Sequence, residues 1–216
     1  MIDESVVREN LHLVRDRIAR AGGTNVQIVA VTKALPAVAW SVARAVGCDA
    51  LGENYAQEVT AKAVEVPTHL PVHFIGQLQS NKVRQLTGLV DVWQTVDRES
   101  LLREIVKRAE GLDSPRIFVQ INSTGEPQKG GCEPADASRL VDLARHLGCR
   151  VEGAMTVGPT SGDPRETREA FTLLRSVADD LGLVERSMGM SGDLEIAVEE
   201  GSTMVRIGTD LFGQRP

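Results

Sequence analysis

Aromatic side chains make up only 3% of this 216-residue chain, and it holds just three cysteines. Cys48, Cys132 and Cys149 stand far apart without a C-x-x-C spacing, which removes the common zinc and redox signatures and leaves structural thiols as the expectation. There is no Lys/Arg-rich run, and 30 acidic against 24 basic residues leave a net charge of −6. Phosphate-backbone binding needs clustered positive charge, so no nucleic-acid partner is expected. No stretch approaches the ~18 consecutive apolar residues of a membrane span. The acidic start Met1-Ile2-Asp3-Glu4 lacks an apolar leader core, so the expected location is cytoplasmic, away from the membrane. His12, His69, His73 and His146 form no H-E-x-x-H, and Pro71 keeps His69 and His73 off one helical face, so no metal site is expected.

What the chain does have is rhythm. Apolar runs of four to seven residues alternate with longer segments of helical periodicity, the pattern of repeated βα units. An amphipathic opening helix is expected at 4–20, then strands near 26–32, 50–51, 72–75, 92–95, 117–121, 151–155, 186–188 and 204–207. Helices are expected between them, among them 100–109, 167–181 and a short one at 194–200. Runs such as Val26-Gln27-Ile28-Val29-Ala30-Val31 are β-branched and nearly continuous in apolar character, as befits parallel strands covered on both faces. Eight such strands in this length favour one (β/α)8 barrel domain over 1–216 with an extra N-terminal helix. The competing open doubly wound sheet would usually carry a G-x-G-x-x-G turn after its first strand, where Val31-Thr32-Lys33-Ala34-Leu35-Pro36 stands instead.

A barrel places its chemistry at the C-terminal ends of its strands. Lys33 ends the first strand with no acidic neighbour in sequence, which suits a Schiff-base lysine; the plainer reading is a side chain snorkelling to solvent. Arg206 shares one face of the last strand with Met204 and Gly208, so it needs a buried acceptor: a ligand heteroatom, or a carboxylate such as Glu53. Phosphate sites in such barrels commonly use the loops after strands seven and eight, here Ser187-Met188-Gly189-Met190-Ser191-Gly192 and Gly208-Thr209. Each loop alone could be an ordinary turn. A ligand with an aldehyde for Lys33, a ring heteroatom for Arg206 and a phosphate for the last loops would be pyridoxal 5′-phosphate (PLP).

Nearly the whole chain closely resembles the pyridoxal-phosphate homeostasis protein family, single-domain relatives of the alanine racemase N-terminal barrel (PLP fold type III). The resemblance rests on Val31-Thr32-Lys33, Gly52-Glu53-Asn54-Tyr55, the segment His73-Phe74-Ile75-Gly76-Gln77-Leu78-Gln79-Ser80-Asn81-Lys82, Ser187-Met188-Gly189-Met190-Ser191, and the run from Gly201 to Gly213. It implies that Lys33 carries PLP as an internal aldimine and that Arg206 faces the pyridine nitrogen. It also implies that Ser191, Gly208 and Thr209 hold the phosphate while Asn54 and Met188 line the ring. The implied role is buffering of PLP in vitamin B6 and amino-acid metabolism, without established catalysis, by a monomer with PLP-dependent apoenzymes as recipients.

Three positions depart from or stand out against the family pattern. Leu35 replaces a frequent second lysine, Asp210 replaces a small apolar residue and is expected to turn away from a phosphate, and Lys129 is expected to be an exposed loop charge. An amino-acid racemase is the enzymatic alternative. The related racemases draw a second proton-transfer tyrosine from an extra C-terminal domain, for which a chain ending at Pro216 leaves no room, and the sole tyrosine, Tyr55, lies after strand two. A Schiff-base aldolase would also use a barrel and a lysine but accounts less well for Arg206.

Overall fold

The computed structural model describes residues 2–66 and 70–214; His69 therefore lies outside the described residues. Helix α1 (Glu4–Arg20) begins where the Asp3 carboxylate accepts the Ser5 N–H at 2.8 Å, an N-cap that satisfies one of the orphan donors of the first turn. Its stripe of Val7, Leu11, Val14 and Ile18 is buried against the rest of the molecule.

Eight parallel strands follow, β1 (Gln27–Val31), β2 (Ala50–Glu53), β3 (Val72–Phe74), β4 (Val92–Val96), β5 (Arg116–Gln120), β6 (Arg150–Met155), β7 (Glu185–Ser187) and β8 (Met204–Ile207). They close into a barrel in chain order, with β8 hydrogen-bonded back to β1. The expected architecture is therefore observed, and the open sheet is excluded. Between strands run α2 (Val38–Val46), α3 (Ala56–Glu65), α4 (Val83–Leu86), α5 (Glu99–Arg108), α6 (Ala137–His146), α7 (Pro164–Asp180) and α8 (Leu194–Glu199), and α9 (Thr209–Phe212) comes last.

Strand β8 and α1 match the expected bounds, while the other strands begin or end one or two residues away from them. Helix α7 starts earlier than its apolar periodicity indicates. Asp163 accepts the Arg165 and Glu166 N–H groups, and Pro164 occupies a first-turn position that needs no N–H.

Alternation along the strands divides the core in two. Val29, Ala50, Val92, Phe118, Met155 and Met204 fill the barrel interior, whereas a larger cluster including Trp40, Phe74, Leu101, Phe171 and Val205 lies between strands and helices. Cys48 and Cys149 are buried and Cys132 is half-buried; desolvation raises their thiols to about 12, 11 and 11 respectively, so all three are held as inert thiols.

A buried ionic cluster lies in the outer layer. Glu53, at the end of β2, accepts from Lys62 of α3 at 2.7 Å, from the Thr32 hydroxyl at 2.6 Å and from the Trp40 indole at 3.0 Å. A carboxylate with no solvent contact is tolerable only because these donors replace water. Replacing Lys62 by methionine should therefore destabilise the protein by about 3–5 kcal/mol in urea unfolding, the cost of an uncompensated buried charge. The double variant Lys62→Met/Glu53→Gln should recover most of that loss; equal destabilisation of both would show that packing, not charge, carries the effect.

Candidate functional site

Lys33 follows β1 on the inward side of the alternation that runs through Val29 and Val31, and it is half-buried. Its turn is tightly held. The Thr32 carbonyl accepts the Leu35 N–H at 3.1 Å and the Lys62 ammonium at 2.7 Å, and Ala34 donates its N–H to Glu58 at 2.8 Å. Ala34 has φ +59°, a left-handed conformation that costs a non-glycine residue about 1–2 kcal/mol and persists only where the surroundings enforce it. Leu35 is half-buried and closes this turn through its N–H.

Neighbouring strand ends supply the remaining groups. Asn54 directly follows β2, and its side-chain oxygen is buried without a hydrogen-bond partner, an unmet acceptor at the barrel mouth. Gly76 faces it so closely that a Cβ there would collide with the Asn54 carbonyl. Beside Asn54 a cleft of about 520 Å³ opens among Tyr55, Gln77, Lys82 and Arg98.

On the other side, Arg206 of β8 is 4% exposed. The sequence left it a choice between a ligand and a carboxylate such as Glu53; the structure removes the carboxylate. Glu53 lies outside the barrel with Lys62, whereas Arg206 donates from Nη1 to Ser187 Oγ at 2.8 Å and from Nη2 to the Thr156 carbonyl at 2.7 Å. Among the described residues it forms no ion pair. Desolvation lowers its guanidinium to about 10, opposed by the Asp193 carboxylate, so it stays charged at neutral pH with N–H donors to spare.

The loops after β7 and β8 are fastened together. Gly189, at φ +97°, has no room for a side chain against Ala197, and its carbonyl accepts the Arg206 N–H at 2.9 Å. The half-buried Ser191 hydroxyl accepts the Asp210 N–H at 3.3 Å, Gly208 precedes α9 as its N-cap, and Thr209 is exposed. The Asp210 carboxylate, expected to turn away from a phosphate, meets Arg17 of α1. Arg17 also grips Glu195 through two contacts, 2.6 and 2.8 Å, and the Ser191 carbonyl at 3.0 Å.

Two residues sit differently from expectation. Met188 is wholly buried in the outer apolar cluster, with its N–H given to Met204 and its carbonyl accepting the Ser202 hydroxyl, because the residue after inward-facing Ser187 points outward. Lys129 is half-buried rather than an exposed loop charge, since its carbonyl is drawn in as acceptor for the Gln120 amide at 2.9 Å. Arg17 and Glu58 carried no sequence signal as site residues, for an arginine or glutamate on an amphipathic helix is ordinarily solvent-facing. Gln94 and His73 were not singled out in the sequence as site residues.

The chain belongs to the alanine racemase N-terminal domain family, whose sequence profile matches residues 2–216. Over 98% of its length it is 39% identical to the pyridoxal phosphate homeostasis protein of Pseudomonas aeruginosa, covering 96% of that protein. It is 36% identical to the protein of the same name from Aquifex aeolicus, over 96% of this chain and 97% of that one. Among solved structures, PipY of Synechococcus elongatus with PLP bound superposes with a TM-score of 0.86 at 34% identity, covering 96% of this chain and 100% of PipY. Alanine racemase of Corynebacterium glutamicum shares the fold, with a TM-score of 0.80 at 17% identity over 99% of this chain and 62% of the racemase.

Inside the barrel His73 is 4% exposed, and desolvation, reinforced by the Arg116 charge, depresses its imidazole to about 3. The unfolded chain takes up this proton near pH 6.5 while the folded chain refuses it until about pH 3, so stability falls as pH drops through that window. Between pH 7 and 5 this one group should cost about 2 kcal/mol, at about 1.4 kcal/mol per unit. Urea unfolding of His73→Gln should show a shallower loss over the same interval than the parent protein; identical slopes would mean that His73 titrates normally.

Proposed function

We propose that this protein binds PLP, tethers it through Lys33 and serves intracellular homeostasis of the cofactor, with indirect effects on amino-acid metabolism and PLP-dependent apoenzymes as recipients. When bound, PLP supplies an aldehyde that a lysine amine captures as a Schiff base, and a ring able to accept electrons. The observation that carries the reading is Arg206: a fully enclosed guanidinium without a carboxylate, with donors left over, on the strand beside the one that ends in Lys33.

The residues present fit the group. Strands β7, β8, β1 and β2 are consecutive neighbours around the barrel, so Ser191, Gly208 and Thr209, then Lys33, then Asn54, occupy adjacent strand ends. Gly208 and Thr209 lie beside Ser191, and small residues there suit a phosphate. The unmet Asn54 oxygen suits a donor on a bound ring, while Met188 supports the loop from behind. The diversion of Asp210 to Arg17 keeps a negative charge from opposing the phosphate.

The binder reading is preferred to a racemase because of the same arginine. Arg206 holds its proton at neutral pH, so it can donate a hydrogen bond to a ring nitrogen but does not convert it to a pyridinium, which weakens carbanion stabilisation. The names of the relatives support homeostasis as well.

Purified protein incubated with PLP should turn yellow, and borohydride should fix a pyridoxyl mass on Lys33. Lys33→Ala should lose that adduct while unfolding at the same urea concentration; an undiminished adduct in the variant, or none in the parent, would overturn the tether. Alanine racemisation should not rise above the rate of PLP in buffer, and sustained turnover would favour the enzyme instead.

A further inference from the structure

Four buried side chains from four strands are joined end to end across the barrel interior. Arg206 of β8 donates to Ser187 Oγ of β7 at 2.8 Å, and Ser187 Oγ donates to Gln94 Oε1 of β4 at 2.7 Å. Gln94 Nε2 in turn meets His73 Nδ1 of β3 at 2.6 Å. Exposure of these residues runs from 0% to 4%.

The direction of the bonds follows from the inventory of protons together with the contacts of the Gln94 amide. A guanidinium only donates, so Ser187 Oγ must accept from it, and the single hydroxyl proton goes on to Gln94 Oε1. The amide nitrogen is thereby aimed at His73. A second observation agrees: Gln94 Nε2 also lies 3.1 Å from Met204 Sδ, a weak acceptor with no proton to offer. His73 Nδ1 must then carry a lone pair, leaving its proton on Nε2. Rotating the Gln94 amide would need His73 to carry its proton on Nδ1 and would bring Oε1 against Met204 Sδ, two acceptors in contact.

We propose that Ser187, Gln94 and His73 form a one-way hydrogen-bond chain that positions Arg206 for the heteroatom of a bound ring. The inference rests on the PLP reading and goes beyond it by assigning positioning residues that are not themselves placed against the cofactor. The chain contains no carboxylate. A carboxylate would take the guanidinium by a paired contact and turn its donors inward; a hydroxyl takes one N–H. With Ser187 and the Thr156 carbonyl accepting one each, three of the five N–H groups of Arg206 remain. Two fixed acceptors, one on β7 and one just after β6, also define the plane of the guanidinium, and the position of Ser187 Oγ depends in turn on Gln94 and His73.

The test compares parent, Ser187→Ala and Gln94→Leu by PLP affinity, by the visible absorption band of the PLP-loaded protein and by the borohydride adduct on Lys33. Both variants should keep the adduct, bind PLP about tenfold more weakly, as expected for loss of support to one hydrogen bond from a charged group, and show a displaced band. Thr209→Ala, at the phosphate end, should weaken affinity and leave the band in place. Adduct, affinity and band all unchanged in Ser187→Ala would overturn the positioning chain but not the PLP reading, whereas no adduct in the parent would overturn the PLP reading itself. Should Gln94→Leu fail to fold, nitrogen chemical shifts of His73 in the PLP-free parent protein still decide the matter: a proton on Nε2 supports the chain, and a proton on Nδ1 refutes it.

Discussion

A guanidinium cannot lie inside a dry barrel unless other strands reorganise around it, and Arg206 imposes that demand here. Its acceptors come from β7 and from the Thr156 carbonyl just after β6, and the support of those acceptors reaches β4 and β3. The interior is consequently split between an apolar part, built from Val29, Ala50, Val92, Phe118, Met155 and Met204, and a polar part joined by hydrogen bonds from Arg206 to His73. Apolar packing tolerates small rearrangements of volume, but a satisfied polar network in low dielectric does not, since each broken link exposes an unpaired group. The register of the strands and the orientation of the arginine are thus settled together.

On the outside of β1 and β2 a second polar cluster acts on the lysine in a different way. Thr32, Glu53, Glu58 and Lys62 are hydrogen-bonded to one another and hold the 32–35 turn from behind. The left-handed Ala34 shows the force of that grip, because an alanine would relax to negative φ if the turn were loosely attached. Two buried ionic or polar systems, one inside the barrel and one outside, therefore converge on the two residues to which the chemistry is assigned.

Much of this was legible before any coordinates. Continuous β-branched runs and their spacing sufficed for eight strands, and β8 was delimited at both ends because Thr203 and Gly208 bracket an uninterrupted run. Alternation alone put Arg206 on one face with Met204 and Gly208; that this face is the interior is what the closed barrel adds. Its partner did not: sequence proximity offers no way to tell that Glu53, one of two plausible acceptors, is committed to Lys62 on the far side of the sheet. Met188 shows the same limit at smaller scale, since a single step in the alternation separates the interior from the helical layer. Gln94 was not singled out, because which residues meet across a barrel depends on strand tilt and closure, and no local pattern encodes them.

Arg17 has a consequence for how the molecule comes into being. It lies in the first helix, yet it ties together Glu195 and Asp210, 178 and 193 positions further along the chain. The contacts that brace the last two loops thus span almost the entire polypeptide, and long-range closures of this kind come late in folding because their entropy must be met before they contribute. A ribosome-bound chain lacking its last strand has no Asp210 to complete this brace, so the loops after β7 and β8 are fastened together only once the segment after the last strand has met the first helix.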